Sequence, residues 1–295
     1  MSSRIRFLLA LLGATVLLFL NIGTGAFADS LSDLTQQLLK SEPLIPDGTV
    51  SILDPLPYGN SIHVVSKDNM DGWKIQTSSG ATTFELDQCD PSETPLPTGA
   101  LHLVVVPGVG PLTYARLRST RYHRTYLRDL TRLDYYACGV KNNFQQWPFI
   151  VLEIDWNGDN VINDEIVFEP TYQNLIDGGA CGTLSNQGPP LYNNWQFWDA
   201  LRKAAGSYRA CWWSVEDPAF PPGDVIRSLS DYITAHPNAA IVNLDGNHGG
   251  VQIMQGFASA SDSFDGWVDA LTVGKDINMN NSQANSTITY DYQQP

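Results

Sequence analysis

The segment 147–170 gathers the densest set of carboxylate and amide side chains in the chain. It reads WPFIVLEIDWNGDNVINDEIVFEP, with apolar-rich runs on either side of a turn rich in Asn, Gly and Asp, a pattern that predicts a β-hairpin. Carboxylates grouped in this way can ligate Ca²⁺, or they can act as nucleophile and acid on a glycosidic bond. Five carboxylates and one amide that could take these roles fall within thirteen residues: Glu153, Asp155, Asn157, Asp159, Asp164 and Glu165.

The turn itself predicts a calcium site with Asp155, Asn157, Asp159 and Asp164 as ligands. Alternate positions of a tight turn can offer side-chain and carbonyl oxygens to a cation that takes about six to eight of them. The segment resembles the calcium loop of dockerin and EF-hand proteins, but Asn160 stands where glycine is usual and Ile166 where an acid is usual. The alternative is that the Asn and Asp side chains only satisfy the geometry of the turn.

The strand before the turn offers a candidate catalytic pair, and the alternative is a coincidence of strand chemistry or a non-catalytic relative of an enzyme. Glu153 and Asp155 would lie on one face, about 6.5–7 Å apart along the strand. The sequence Glu-Ile-Asp resembles the active strand of the laminarinase and lichenase family of retaining glycoside hydrolases, which are concanavalin A-like jelly rolls. The resemblance implies that Glu153 is the nucleophile. Asn157 replaces the second glutamate of that motif, so the family's proton donor is missing.

The arginine-rich segment 116–132 is the second candidate site. Arginine forks match carboxylates and sulfates, so Arg121, Tyr122 and Arg124 are predicted to bind an acidic polysaccharide. Jelly-roll polysaccharide lyases use Arg, His and Tyr side chains, which makes a lyase an alternative for this segment. The remaining alternative is that these arginines pair with acids on a solvated strand face.

Aromatic side chains form the third candidate site. Aromatic rings are platforms for the C–H faces of sugars, and the predicted platforms are Trp195, Trp198, Trp212 and Trp213. The alternative is that they fill the core. Neighbours on a strand point to opposite faces, so Trp212 and Trp213 are not expected to be on the same side.

The N-terminal segment predicts export. Arg4 and Arg6 precede an apolar run over 7–20, and Ala26, Phe27 and Ala28 form a small-x-small cleavage signal. We therefore predict a signal peptide over 1–28, an amphipathic helix and linker over 29–48, and one domain over 49–295. A secreted, extracellular protein with four cysteines is expected to form two disulfides, although their pairing stays open. No later segment is apolar enough to predict membrane insertion.

The remaining chain predicts an all-β fold with a short N-terminal helix. Short runs of alternating polarity, bounded by Gly, Pro, Asn or Asp, favour a two-sheet antiparallel jelly-roll sandwich. Helices are predicted only over 228–235 and, more weakly, over 195–204. Residues 264–274, FDGWVDALTVG, resemble the closing strand of concanavalin A-like and laminin G-like domains. That resemblance implies binding of glycans or proteins, often with Ca²⁺.

Charge restricts the partners. The formal net charge is −14, and its field repels phosphate, which argues against nucleic acid and anionic membranes. The leading prediction is a secreted, lectin-like protein that binds a polysaccharide or surface glycan with the help of Ca²⁺. The alternatives are a polysaccharide-degrading enzyme on the same fold, and a structural or cell-envelope protein that assembles through 29–48 and an open sheet edge.

Overall fold

The computed structural model describes residues 60–77, 80–85, 89, 95–96, 99–106, 113–119, 121–141, 146–174, 179–221, 226–244, 249–256, 263–276 and 285–293. The predicted signal peptide (1–28) and the predicted helix and linker (29–48) lie outside these residues. The chain divides into two compact units, Met1–Pro55 and Leu56–Pro295, and every described residue belongs to the second. No helix in the described ranges combines the length and hydropathy that crossing a bilayer requires.

The first large sheet has seven strands. Its long central strand, β17, pairs antiparallel with β4, β7 and β18, whereas β1 lies parallel to β18 at one edge. The strands are β1 (Asn60–Val65), β3 (Gly80–Glu85), β4 (Ala100–Val105), β7 (Leu130–Lys141), β10 (Gln196–Asp199), β17 (Phe264–Asp276) and β18 (Asn285–Tyr292).

The second large sheet has nine strands, all paired antiparallel. They are β2 (Trp73–Thr77), β5 (Tyr114–Ser119), β6 (Thr125–Tyr126), β8 (Phe149–Asp155), β9 (Asp164–Phe168), β13 (Cys211–Ser214), β14 (Arg227–Ser228), β15 (Ala240–Ile241) and β16 (Val251–Gly256). A small hairpin joins β11 (Lys203–Ala204) to β12 (Ser207–Tyr208).

The hydrophobic core lies between the two large sheets. Because successive side chains on a strand alternate in direction, every second residue points inward. Leu152 and Ile154 of β8 meet Leu101 and Leu103 of β4 in one buried cluster. The prediction of an all-β protein built on large antiparallel sheets is therefore confirmed, with β1 as a parallel exception.

In the part of the chain that the structure describes, two short α-helices accompany the sheets, α1 (Gly179–Ser185) and α2 (Leu229–Ala235). Helix α2 is the helix predicted over 228–235, and Ser228 caps it in a capping box with Asp231. The helix predicted over 195–204 is wrong, because Gln196–Asp199 form β10 and Lys203–Ala204 form β11. Trp198 there lies opposite Tyr135 of β7 and enters the core, and this tertiary packing outweighs the local helix pattern.

All four cysteines form disulfides, as predicted. Cys89 is joined to Cys138 and Cys181 to Cys211. The second bridge ties α1 to β13. Two disulfides are compatible with an extracellular protein.

Candidate functional site

The acidic turn after β8 is organised by the carboxylate of Asp155. Its Oδ1 accepts hydrogen bonds from the backbone N–H groups of Asn157 (2.9 Å) and Gly158 (2.7 Å), and its Oδ2 accepts one from Asn160 (2.8 Å). Burial by itself would raise the pKa of Asp155, but these backbone hydrogen bonds outweigh it and hold the pKa below its usual value. Asp155 is therefore negatively charged at neutral pH.

The next two polar residues continue the same arrangement. Asn157 Oδ1 accepts a hydrogen bond from the N–H of Asp159 (3.1 Å), and Asp159 Oδ1 accepts one from the N–H of Val161 (2.8 Å). Asn160 adopts φ 64°, the left-handed conformation that a glycine takes easily and that asparagine tolerates. Three of the four predicted calcium ligands, Asp155, Asn157 and Asp159, thus share one turn.

Asp164 does not join them, which corrects the predicted ligand set. It pairs with Ile154 across the hairpin, and both point toward the core. Its Oδ2 accepts hydrogen bonds from Ser214 Oγ (2.6 Å) and Tyr232 OH (2.7 Å), and its Oδ1 accepts one from the N–H of Glu216 (3.0 Å). Within the described ranges, no three His, Cys, Asp or Glu side chains form a group able to hold a metal ion.

Arg124 brings the arginine-rich segment to this turn. Its Nε and Nη2 donate hydrogen bonds to the side-chain oxygen of Asn160 at 3.1 and 3.0 Å. The backbone register explains the contact, because Tyr126 of β6 lies opposite Ala240 of β15, and Ala240 lies opposite Asp155 of β8. We call this region the turn edge: Arg124, Asp155, Trp156, Asn157, Asp159 and Asn160.

Trp156 is the aromatic member of the turn edge. It is half-buried, its ring stacks on His236 at 4.4 Å between centroids and 3° between planes, and its Nε1 donates to Tyr232 OH at 2.6 Å. The sequence patterns did not predict Trp156 as a site residue, although its position next to Asp155 in the chain could have indicated it. The turn edge therefore combines carboxylate and amide side chains, an exposed guanidinium and an aromatic ring stacked on His236.

A buried polar network lies on the side of the nine-stranded sheet that faces away from the core. Arg116 Nη1 donates to Gln252 Oε1 (2.7 Å), and Gln252 Nε2 donates to Glu153 Oε1 (2.7 Å). Arg118 is buried beside them, and burial lowers its pKa while the charge of Glu153 acts to raise it. Burying charges is costly unless they are paired and hydrogen-bonded, so Glu153 is stabilised by this network.

Glu153 faces Glu165 directly across the hairpin. The backbone of Glu153 bonds away from β9, to Gly250 (3.3 Å) and Val242 (2.9 Å), so the two glutamates form a non-hydrogen-bonded pair. Side chains at such a pair have Cβ atoms about 4.5–5.5 Å apart. The predicted catalytic partner, Asp155, is instead engaged by the turn, so the carboxylate beside Glu153 is that of Glu165. The register of the hairpin was the signal that could have found it.

The predicted aromatic platforms separate into two groups. Trp198 and Trp212 are each 1% exposed and lie in the main core, which corrects their prediction as ligand-binding residues because a sugar cannot reach them. Trp195 packs beside the Cys89–Cys138 disulfide and Trp267, and Trp213 is half-buried against Val167 and its neighbours on the outward face.

The exposed aromatic residue of this region is Phe197, at 44%, whose ring lies 5.2 Å from that of Tyr136. Phe197 precedes Trp198 on β10 and pairs with Tyr136 of β7. Strand alternation therefore points Phe197 outward and Trp198 inward.

Arg121 and Tyr122 are adjacent in the chain but make different contacts. Arg121 Nε donates to the backbone oxygen of Asp71 at 2.9 Å, and its Nη2 pairs with the carboxylate of the same residue. Tyr122 is 3% exposed, and its hydroxyl lies 2.5 Å from that of Tyr290. Burial raises the pKa of Tyr122, whereas a lyase base needs a pKa near the working pH, so Tyr122 is unsuited to abstract a proton.

Comparisons with known proteins identify no relative: no protein-family model matches the chain, and neither a curated protein nor a solved structure gives a significant match.

Proposed function

We propose that this protein is a secreted, lectin-like β-sandwich of the concanavalin A-like jelly-roll type, which binds a polysaccharide or surface glycan at the turn edge with the help of Ca²⁺. The observation that carries the proposal is the contact of Arg124 with Asn160, which joins the arginine-rich segment to the acidic turn. The resemblance of 264–274 to the closing strand of such domains and the two disulfides support the fold type and the export.

The calcium would be held by Asp155, Asn157 and Asp159. Their side chains supply oxygen atoms within one turn, and the turn's carbonyl groups and the ligand's hydroxyl groups complete the coordination that Ca²⁺ prefers. Asn160 supports this assignment, because its positive φ at the position where the EF-hand loop has glycine allows the same sharp bend.

The glycan would contact the two other members of the turn edge. Arg124 is exposed and offers donors to ring hydroxyls or to a carboxylate. Trp156, held on His236, offers an aromatic face for sugar C–H groups. A site of this kind needs no deep cleft, which is consistent with a sheet edge.

The test is a glycan array on the secreted protein, run with Ca²⁺ and with chelator, for three forms of the chain. Asp159→Asn keeps the size of the side chain but removes one negative charge from the turn. Asp68→Asn changes another exposed aspartate, which pairs with Lys67 among the described residues. We expect a calcium-dependent signal that chelator and Asp159→Asn abolish and that Asp68→Asn leaves intact. An array on which chelator lowers the binding of no glycan, or on which Asp159→Asn binds in Ca²⁺ as well as wild type, would refute the assignment of the calcium and of the site.

A second candidate function, glycoside hydrolysis, is favoured by one observation: Glu153 and Glu165 lie directly opposite each other. Retaining hydrolases place two carboxyl groups about 5–5.5 Å apart, one as nucleophile and one as acid/base. In this candidate the half-exposed Glu165 would be the acid/base. Glu153, which is buried beside Gln252, would have to become accessible before it could act as the nucleophile. Release of reducing sugar that Glu165→Gln abolishes and Glu216→Gln does not would favour this candidate. Absence of release across a broad polysaccharide panel would remove it.

A further inference from the structure

A small pocket opens where one end of β17 and β18 meets the segment after β5. It has a volume of about 280 Å³, close to the lower limit of about 300 Å³ for ligand pockets, so it suits one small group. It is lined by Arg121, Tyr122, Val273, Lys275, Ser286 and Ile288.

The strand register places this pocket at the open end of the space between the sheets. Val273 lies opposite Ile288, and Lys275 lies opposite Ser286 two residues further along. Val273 is buried in the main core, and residues two apart on a strand share a face, so Lys275 and Ser286 continue the core-facing side to its rim. The pocket thus has an apolar floor and a polar rim.

The charges of the lining are unusual for this protein. Among the described residues that line the pocket, two are cations and none is a carboxylate, in a chain whose formal net charge is −14. In the part of the chain that the structure describes, neither Arg121 Nη1 nor Lys275 Nζ has a hydrogen-bond or ion-pair partner, because Arg121 meets Asp71 through Nε and Nη2 only. Arg121 already pairs with the carboxylate of Asp71, so within the described ranges Lys275 is the lining cation that lacks a partner anion, and an oxyanion in the pocket would supply one.

We infer that this pocket binds a compact oxyanion carried on a sugar ring, such as the carboxylate of a uronic acid or a sulfate ester, and that it does so without calcium. Arg121 and Lys275 would donate to the oxyanion and Ser286 would add a hydroxyl, while Val273 and Ile288 take the apolar side of the ring. This inference makes the proposed function more specific, because it names an acidic glycan as the ligand class. It rests on the proposed function only in taking the ligand to be a glycan.

The experiment is calorimetric titration in chelator with three oligosaccharides of equal length: an oligogalacturonate, a sulfated galactan fragment and a neutral cello-oligosaccharide. We expect one or both acidic probes to bind, with an affinity that falls as salt is raised, and the neutral probe not to bind. Binding of the oligogalacturonate alone would identify carboxylate as the natural group, and binding of the sulfated fragment alone would identify sulfate.

Two variants separate this pocket from other basic surfaces. Lys275→Gln removes the rim charge and should weaken the acidic probe about tenfold, the effect of losing one hydrogen bond to a charged group. Lys203→Gln, which changes a lysine placed over the ring of Tyr208, should leave the affinity unchanged. Ser286→Ala should weaken binding by a smaller factor.

The outcomes distinguish the inference from the proposed function. Asp159→Asn should leave binding in chelator unchanged, because the acidic turn contributes nothing to this pocket. The inference would be overturned if neither acidic probe bound, or if Lys275→Gln and Lys203→Gln had equal affinities. Neither result would bear on the calcium-dependent turn edge, which the glycan array tests. If Lys275→Gln weakens binding, Lys203→Gln does not, and the array shows no calcium-dependent binding, the pocket would be supported as a binding site and the turn edge would be refuted as one.

Discussion

Glu169 makes the stability of this protein depend on pH in an unusual direction. It lies directly after β9, it is only 7% exposed, and burial raises the pKa of its carboxyl group to about 8. An ordinary glutamate in the unfolded chain has a pKa of 4.5. Between these two values the folded protein keeps a proton that the unfolded chain has released, so the free energy of unfolding falls as pH rises.

The size of the effect follows from the two pKa values. They differ by about 3.5, and each tenfold change in proton affinity corresponds to about 1.4 kcal/mol, which gives about 5 kcal/mol. This stabilisation is complete below pH 4.5 and is lost by the time the pH has passed about 8. Glu169→Gln has nearly the same shape and no proton to lose, so it should be free of this term.

The assay is urea denaturation of wild type and Glu169→Gln at several pH values between 5 and 9, with the disulfides intact. This pH range covers most of the expected change of about 5 kcal/mol in the free energy of unfolding. We expect the variant to gain stability over wild type steadily as pH rises. Comparing the two proteins removes the contribution of Asp134, whose pKa burial raises to about 6. Glu216→Gln, at an exposed glutamate, is the matched control. Parallel curves for wild type and Glu169→Gln would refute the reasoning.

Two further changes test the packing. Ser228→Ala removes the side-chain cap of α2 and should cost about 1 kcal/mol in a urea denaturation curve, whereas Thr234→Ala on the exposed side of the helix should cost less. Gly139→Ala places a Cβ 1.8 Å from the ring of Trp147 and should cost about 1–3 kcal/mol or more. Trp147→Leu in the same chain should recover part of that loss, and simple addition of the two losses would contradict the proposed clash.

The local pattern of the chain predicted most of the secondary structure. The hairpin predicted within 147–170 forms as β8 and β9 on either side of the acidic turn. Residues 228–235 carry both a capping serine and an apolar helical face, and they form α2 with its cap. Such signals work because backbone conformation depends mainly on near neighbours. The prediction over 195–204 failed because Trp198 gains more from entering the core opposite Tyr135 than from a helix.

The candidate site was predicted where its residues are close in the chain. Asp155, Asn157 and Asp159 were identified as one group because a tight turn keeps them together. Asp164 was grouped with them by proximity in sequence, but the pairing of β9 with β8 points it toward the core and Glu165 away from it. A shift of one residue in a strand reverses the face, so register decides which acid is available.

The sequence by itself determined the all-β class, the acidic turn, the helix over 228–235 and the presence of two disulfides. Each follows from local periodicity, from residue type or from the number of cysteines. Only the tertiary structure decided that Cys89 pairs with Cys138, that Arg124 reaches Asn160, and that Lys275 faces the same pocket as Arg121. These contacts join segments far apart in the chain, so they depend on the order and register of the strands, which local preferences do not specify.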